Sequence, residues 1–271
     1  MNEGKYIFTQ VCSLIPRQIF QRLVSKYQGD YHVRDFNCTT QLRYMLFGQL
    51  TSCESLRDIC LCLKAHENIL YALGIATSVN ESSLSRANEK RDYRIYEGLG
   101  KALIKIVQPL YSKMRLEYIA PQDHDLYALD STTISCSLKL LDWAVGKYSK
   151  GAVKMHTLLD LRGSIPANIH ITDGKWHDSN ELDNIVPEPL AFYMMDKAYV
   201  DLLALYRFHK AGAYWISRPK DNMRYEVTDH RHDFDPSTGI CGDFNIRLTT
   251  FRSKKLYPET IRMVTYHDSE M

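Results

Sequence analysis

LYALDSTTI, residues 126–134, is the stretch on which the fold turns. Its first half is apolar, its second half is rich in hydroxyl and β-branched side chains, and Asp130 stands inside it. That composition over so short a run reads as a strand. Upstream the apolar spacing is helical, and downstream it is mostly that of strands. VKMHTLLDL (153–161) is the next strand, turned by Arg162-Gly163-Ser164 into ANIHIT (167–172) as a hairpin. A short helix is expected near Ser179 to Asn184, then the strand LAFYMM (190–195), which ends on Asp196. Val200 to Lys210 reads as a helix stopped at Ala211-Gly212, followed by the strand AYWIS (213–217). From about residue 219, short β-like runs (Tyr225–Thr228, Phe244–Phe251, Thr260–Tyr266) alternate with polar turns and form a β-rich insertion. The layout is α/β, a central mixed sheet covered by helices.

The first 120 residues read as helices. Ile15 to Tyr27 carries Ile19, Leu23 and Tyr27 at four-residue spacing, and Thr40 to Leu50 is a second helix. A third, N-capped near Ser52, lines up Leu56, Ile59, Cys60 and Leu63. A helical turn closes at Gly74, a basic helix runs from Asn80 to Arg91, and Tyr93 to Arg115 is helical with a kink or break at Pro109. Pro121-Gln122-Asp123-His124-Asp125 is the expected boundary between a helical domain (1–120) and a second domain (121–271).

Composition agrees with a globular chain. Of 271 residues, 45% are hydrophobic, 24% charged and 11% aromatic, with Gly 13 and Pro 9, which excludes collagen, a disulfide miniprotein and a disordered tail. No apolar run approaches the ~20 residues that span a bilayer, and no signal peptide is evident, so a cytoplasmic, nucleoid-associated protein is expected. Seven cysteines without CxxC spacing read as reduced thiols, Cys60 and Cys62 being expected inside. The net charge of +2 divides unevenly. Residues 1–120 carry 16 Lys/Arg against 11 Asp/Glu, and the rest carry 18 against 21. A basic docking part before a carboxylate-bearing part fits that asymmetry.

Asp130 and Asp196 are the candidate chemistry. Each lies in or just after an apolar strand, where burial is expected, and a buried carboxylate costs several kcal/mol unless something compensates it. A hard divalent cation shared between neighbouring strands is one compensation, and paired metal ions suit phosphodiester cleavage. Capping a following helix or pairing with a lysine is the other reading of each aspartate.

Four segments carry a resemblance: LYALDSTTI (126–134), KGAVKMHTLLDLRGSIP (150–166), TDGKWHDS (172–179) and MMDKAYVD (194–201). LRDICLCL (56–63) and SSLSRANEKRDYRIYE (82–97) extend it over nearly the whole chain. In that order these segments resemble DDE transposases of bacterial insertion sequences, of the insertion-sequence-four group. The resemblance implies a ribonuclease-H-like sheet, Asp130 and Asp196 as the first two catalytic and metal-binding carboxylates, and Mg²⁺ or Mn²⁺ as cofactor. Tyr199 and Asp201 complete the motif that Asp196 opens. The implied partners are double-stranded DNA, both element ends and target, with a homodimer in the DNA complex and no membrane. The implied reaction is metal-dependent strand cleavage and transfer.

One element of the family pattern has no match. No tyrosine here is followed by the arginine, glutamate and lysine spacing of the family's third-carboxylate helix. Tyr31 and Arg34 start it, but Cys38 stands where the glutamate belongs. After Asp196 the glutamates are Glu226, Glu259 and Glu270. The expectation is a chain truncated before the glutamate helix, one that binds DNA and cleaves it poorly. A non-catalytic DNA-binding remnant is the alternative.

Arg86, Asn88, Lys90 and Arg91 on the basic helix are candidate DNA contacts, since such side chains reach phosphates and base edges. A plain solvated helix is the competing reading. Lys150 and Lys154 beside the first catalytic strand, and Lys197 after Asp196, are candidates to track the backbone. Asp229-His230-Arg231-His232-Asp233 has the composition of a metal cluster but reads as a polar loop before a turn. In His177-Asp178-Ser179, Asp178 or Ser179 is expected to cap the next helix.

Overall fold

The computed structural model describes residues 6–76, 78–111, 124–136, 144, 151–235 and 238–267. The chain divides into two compact units, residues 1–109 and 110–271. The boundary expected at Pro121–Asp125 falls largely on residues outside the described set.

The first unit is helical: α1 (Ile7–Ser13), α2 (Arg17–Lys26), α3 (Cys38–Leu50), α4 (Leu56–Ala65), α5 (Glu81–Lys90) and α6 (Arg94–Tyr111). Helix α1 was not expected from the sequence. Side-chain caps set three of the starts by satisfying N–H groups left open by the first turn. Asn37 accepts from the Thr40 N–H, Ser55 from the Asp58 N–H and Asn80 from the Ser83 N–H. The α4 cap is therefore Ser55 and not Ser52, whose φ of 55° belongs to the preceding turn. Helix α6 passes through Pro109 to Tyr111, and the residues expected to carry it on to Arg115 lie outside the described set.

Two apolar clusters hold these helices. Tyr44, Ile59, Leu63, Ile75 and Leu84 form one, and Phe20, Val24, Cys38, Ile95 and Leu99 the other. Cys60 is buried as expected, but Cys62 is exposed. Two residues on in a helix is a rotation of roughly 200°, so both thiols cannot share the inner face.

The second unit is mixed α/β. Strands β1 (Leu126–Cys136), β2 (Gly151–Asp160), β3 (Ile165–Asp173), β4 (Phe192–Met195) and β5 (Tyr214–Ser217) form one sheet in the order β3-β2-β1-β4-β5. The β3-β2-β1 half is antiparallel and the β1-β4-β5 half is parallel. A 3₁₀ segment, Asp178–Asn184, lies between β3 and β4, and helix α7 (Leu202–Lys210) between β4 and β5. Asp201 caps α7 by accepting from the Leu203 and Ala204 N–H groups. Strands β6 (Tyr225–Arg231), β7 (Ile240–Leu248) and β8 (Ile261–Tyr266) form a second, antiparallel sheet, with helix α8 (Phe251–Leu256) before β8. The β-rich insertion expected from about residue 219 corresponds to this sheet; α8 was not expected.

Strand alternation decides which side chains face inward. Tyr127 and Leu129 of β1, with Tyr193 and Met195 of β4, point into a core shared with Leu182, Leu205 and Phe208. The Tyr127 and Tyr193 rings stack with centroids 5.1 Å apart. Leu248 and Tyr257 belong to the same core, which ties the second sheet to the first.

Candidate active site

The parallel register places the two aspartates. Strand β1 pairs with β4 through Leu126↔Phe192, Tyr127↔Tyr193, Ala128↔Met194 and Leu129↔Met195. Asp130 and Asp196 are the next residue on each strand, one step past the last registered pair. Neighbouring strands run ~4.8 Å apart, so the two backbone positions are close. Asp130 alternates with Leu129 along β1, and Asp196 leaves β4 as the cap of the 3₁₀ segment Lys197–Tyr199. The carboxyl ends of parallel strands are where open α/β sheets place their ligands.

Both aspartates are exposed, which corrects the expectation that their strands bury them. Asp130 is on the opposite parity to the core residues of β1, and Asp196 comes after the last residue of β4. Neither carboxylate bears the cost of deep burial, and both are open to a ligand from solvent.

The Asp196 carboxylate has two donors on one oxygen. The Lys197 N–H reaches Oδ1 at 2.6 Å and the Arg218 guanidinium reaches it at 2.8 Å. The Arg218 hydrogen bond, followed by that of the Lys197 backbone, holds the carboxyl below the usual carboxylate range. Arg218 follows the last residue of β5, and the pair Met195↔Ser217 puts it beside Asp196 by the same register logic. Asp130, Asp196 and Arg218 thus form a row across three parallel strand ends. Arg218 was missed in the sequence, although its place after AYWIS repeats that of Asp196 after FYMM.

Asp178 was also misread. It makes no helix cap; its Oδ1 accepts from Ser131 Oγ at 3.0 Å and from Lys154 Nζ at 3.0 Å. Ser131 is the residue after Asp130, so Asp178 and Lys154 brace the strand beside the candidate carboxylate. His156 is buried, with Nε2 3.1 Å from Thr172 Oγ1 and Nδ1 3.9 Å from Asp178. Burial lowers its pKa from the ordinary histidine value. Tyr199 is also buried in this region, and burial pushes its phenol up to about 12.

The candidate DNA contacts divide. Arg86 and Lys90 are exposed on α5, and Arg86 Nε donates to the Ser82 carbonyl at 3.1 Å. Asn88 accepts from Gln41 Nε2 at 2.5 Å and approaches Met45 Sδ at 3.6 Å. Arg91 is turned inward, contrary to expectation. Its side chain is 6% exposed, donates to Gln41 Oε1 at 2.5 Å and to the Phe36 carbonyl, and covers the Phe36 ring. Its guanidinium joins α5 to the start of α3 and does not face solvent. Lys154 is 13% exposed and held by Asp178, so it is a positioning group and not a free phosphate contact. Lys197 is 45% exposed, 3.2 Å from Asp221. Lys150 lies outside the described residues.

Strand β6 runs through His230 to Arg231, where a polar loop was expected. His230 packs on Phe244, with centroids 5.1 Å apart, and its ring stacks with that of His232 at 6.3 Å. Among the described residues no three His, Cys, Asp or Glu side chains converge as a metal-binding group. No helix among them is long and apolar enough to cross a membrane.

A mixed sheet with register-matched aspartates at the ends of adjacent parallel strands defines a carboxylate-site α/β domain. Residues 121–266 match the model described as "Transposase DDE domain", and the chain belongs to that family. Residues 3–76 match a model described as a domain of unknown function (DUF4372). A protein of Sinorhizobium fredii (strain NBRC 101917 / NGR234) named as transposase y4zB is 31% identical over 144 residues, 52% of this chain and 40% of that protein. A protein of Geobacillus stearothermophilus named as transposase for insertion sequence element IS5377 is 26% identical over 147 residues, 53% of this chain and 38% of that protein. The match thus spans about two fifths of the length of these curated relatives. A cryo-EM structure of the piggyBac transposase synaptic complex with hairpin DNA is similar at a TM-score of 0.43 and 12% identity, covering 97% of this chain and 62% of that one.

Proposed function

We propose that this chain acts in the transposition of a bacterial insertion sequence of the insertion-sequence-four group, binding element-end DNA and carrying part of a metal-dependent strand-cleavage and transfer site. The observation that carries the reading is that Asp130 and Asp196 each directly follow the registered pair Leu129↔Met195 at the ends of adjacent parallel strands, and both are exposed to solvent. The strand order, antiparallel through β3-β2-β1 and parallel through β1-β4-β5, supports a ribonuclease-H-like sheet.

The residues present fit a hard divalent cation. Mg²⁺ takes one or two carboxylates and keeps several waters, and Asp130 and Asp196 supply two exposed carboxylates. They would hold Mg²⁺ or Mn²⁺, which when bound supplies activation of an attacking oxygen and stabilisation of a leaving one. Arg218 and Lys197 keep Asp196 ionised and bring positive charge to the place where a phosphodiester would lie. Lys154 and Asp178 fix Ser131 and hence the backbone that carries Asp130.

A second reading, a DNA-binding remnant without catalysis, is favoured by one observation. The glutamates after Asp196 that the structure describes are Glu226, on β6 of the second sheet, and Glu259, in the bend between α8 and β8.

The test incubates the purified chain with Mg²⁺ or Mn²⁺ and DNA bearing the ends of its own element, and looks for nicks. Cleavage that is lost in Asp130→Ala and in Asp196→Ala alike is the result expected of the catalytic reading. DNA binding with no nicking in wild type or variants supports the remnant. Absence of DNA binding in all three refutes both.

A further inference from the structure

Helix α2 carries a polar face that no part of the carboxylate site uses. Gln18, Gln21, Arg22 and Ser25 stand at i, i+3, i+4 and i+7, with Lys26 beside them, and all five are exposed. Together they line one shallow, open depression. Phe20 and Val24, on the other side of the helix, are buried against Cys38, Ile95 and Leu99. The helix is therefore anchored by its apolar side and presents the polar face outward on a rigid base.

The charge of that face is one-sided. Helix α2 bears Arg17, Arg22 and Lys26 and no carboxylate. The other described helices of this unit carry either fewer than three Lys/Arg or at least one acidic residue. Helix α5 is a weaker candidate to enter DNA: Glu81 and Glu89 offset Arg86 and Lys90, while Asn88 is bonded to Gln41.

The side-chain types match a duplex groove. A helix with side chains is ~10–12 Å across and the major groove is ~12 Å wide. There glutamine can bond adenine at two atoms, arginine guanine at two atoms, and serine either base, while cations on the flanks meet phosphates. Gln21 Nε2 donates to Thr39 Oγ1 at 3.3 Å, a long contact on an otherwise exposed side chain. Lys26 lies over the Tyr27 ring at 5.0 Å, and Arg94, itself paired with Asp92, lies over the same ring at 4.6 Å.

We infer that α2 is the helix that enters the major groove, with Gln18, Gln21 and Ser25 reading base edges and Arg22 and Lys26 meeting phosphates. This rests on the DNA-binding reading above and adds to it which side chains select the sequence.

The full chain is tested on a duplex library with a randomised centre, and on one fixed duplex titrated over a range of salt. Wild type should select a motif. The double variant Gln18→Ala/Gln21→Ala should lose at least about tenfold of its preference at particular positions of that motif while binding the fixed, motif-free duplex as before. Arg22→Ala and Lys26→Ala should each weaken binding to every duplex and lower the log–log salt slope by about one unit. Unchanged helical circular dichroism and melting temperature show that each variant is folded. A Gln18→Ala/Gln21→Ala protein that selects the wild-type motif with undiminished preference overturns the assignment of α2 and leaves DNA binding standing. Wild type that binds all duplexes equally also overturns it. Wild type that binds no duplex at low salt overturns the DNA-binding reading itself.

Discussion

Replacing Arg91 should unfold the helical unit more readily while leaving the salt dependence of DNA binding untouched. Arg91 follows the last residue of α5, and its side chain is 6% exposed. It donates to the Phe36 carbonyl, to Gln41 Oε1 at 2.5 Å and weakly to the Asn37 carbonyl at 3.4 Å, with Asp30 4.0 Å away. Arg91→Ala deprives Phe36 of its donor, whereas Gln41 Oε1 keeps the Tyr96 hydroxyl at 2.6 Å. One carbonyl left without a partner costs ~1–3 kcal/mol, and losing the stacking over Phe36 adds ~0.5–1 kcal/mol. A net loss of about 2–3 kcal/mol follows, which for a unit of ~100 residues is a fall of roughly 10 °C in melting temperature. Arg91→Lys should lose nearly as much, because an ammonium keeps the charge but not the planar fork that reaches several acceptors at once. Circular dichroism at 222 nm follows the helices, and binding to one duplex at several salt concentrations gives the slope. Variants that melt within ~1 °C of wild type while the slope falls by about one unit would place the guanidinium on a phosphate, and the inward assignment would be wrong.

The remaining predictions concern buried groups. Burial lowers the His156 pKa in the folded chain, so below the ordinary histidine pKa of ~6.5 the unfolded chain binds a proton that the folded one resists. Stability should therefore fall as pH drops below that value, by at most about 1.4 kcal/mol per pH unit, and urea midpoints should show a shallower fall in His156→Gln. An equal fall in the variant would exclude His156 as the source. Cys38 is fully buried and its thiol is pushed up to about 12, chiefly by burial and then by Asp30. Iodoacetamide on the native chain should label exposed Cys62 and Cys241 and leave Cys38, Cys12 and Cys60 untouched until denaturant is added. Peptide mass spectrometry reads the sites, and native labelling of Cys38 would contradict its placement in the α2–α6 core.

Local chemistry determined much of this chain by itself. Four-residue apolar spacing marked α2, the Asn80 cap and the basic run after it marked α5, and the strand composition and turn residues of 126–172 marked a three-stranded start to the sheet. The same local signals singled out Asp130 and Asp196 as polar residues in apolar surroundings. They failed where two local choices were equivalent: Ser52 and Ser55 are both good caps, and only the packing of Ile59 and Leu63 selects the helix that Ser55 begins. Short α1 and α8 carry too few turns to show a period.

What pairs with what was decided by the tertiary structure. Nothing near Asp178 in the chain indicates that it meets Ser131 and Lys154, nothing near Arg91 that it turns back onto Phe36 and Gln41, and nothing near Arg218 that it stands beside Asp196. Those contacts come from the register of β2, β1, β4 and β5, from the placement of the segment Asp178–Asn184 beside β1 and β2, and from the packing of α5 against α3. A capping or amphipathic pattern is read within one turn of the chain, whereas a register joins residues 66 positions apart, as it does Leu129 and Met195. Their pairing is set by the burial of Tyr127, Leu129, Tyr193 and Met195 together, because slipping one strand by a single residue would send its apolar side chains to solvent. Asp130 and Asp196 each directly follow the pair Leu129↔Met195, whose register that burial fixes.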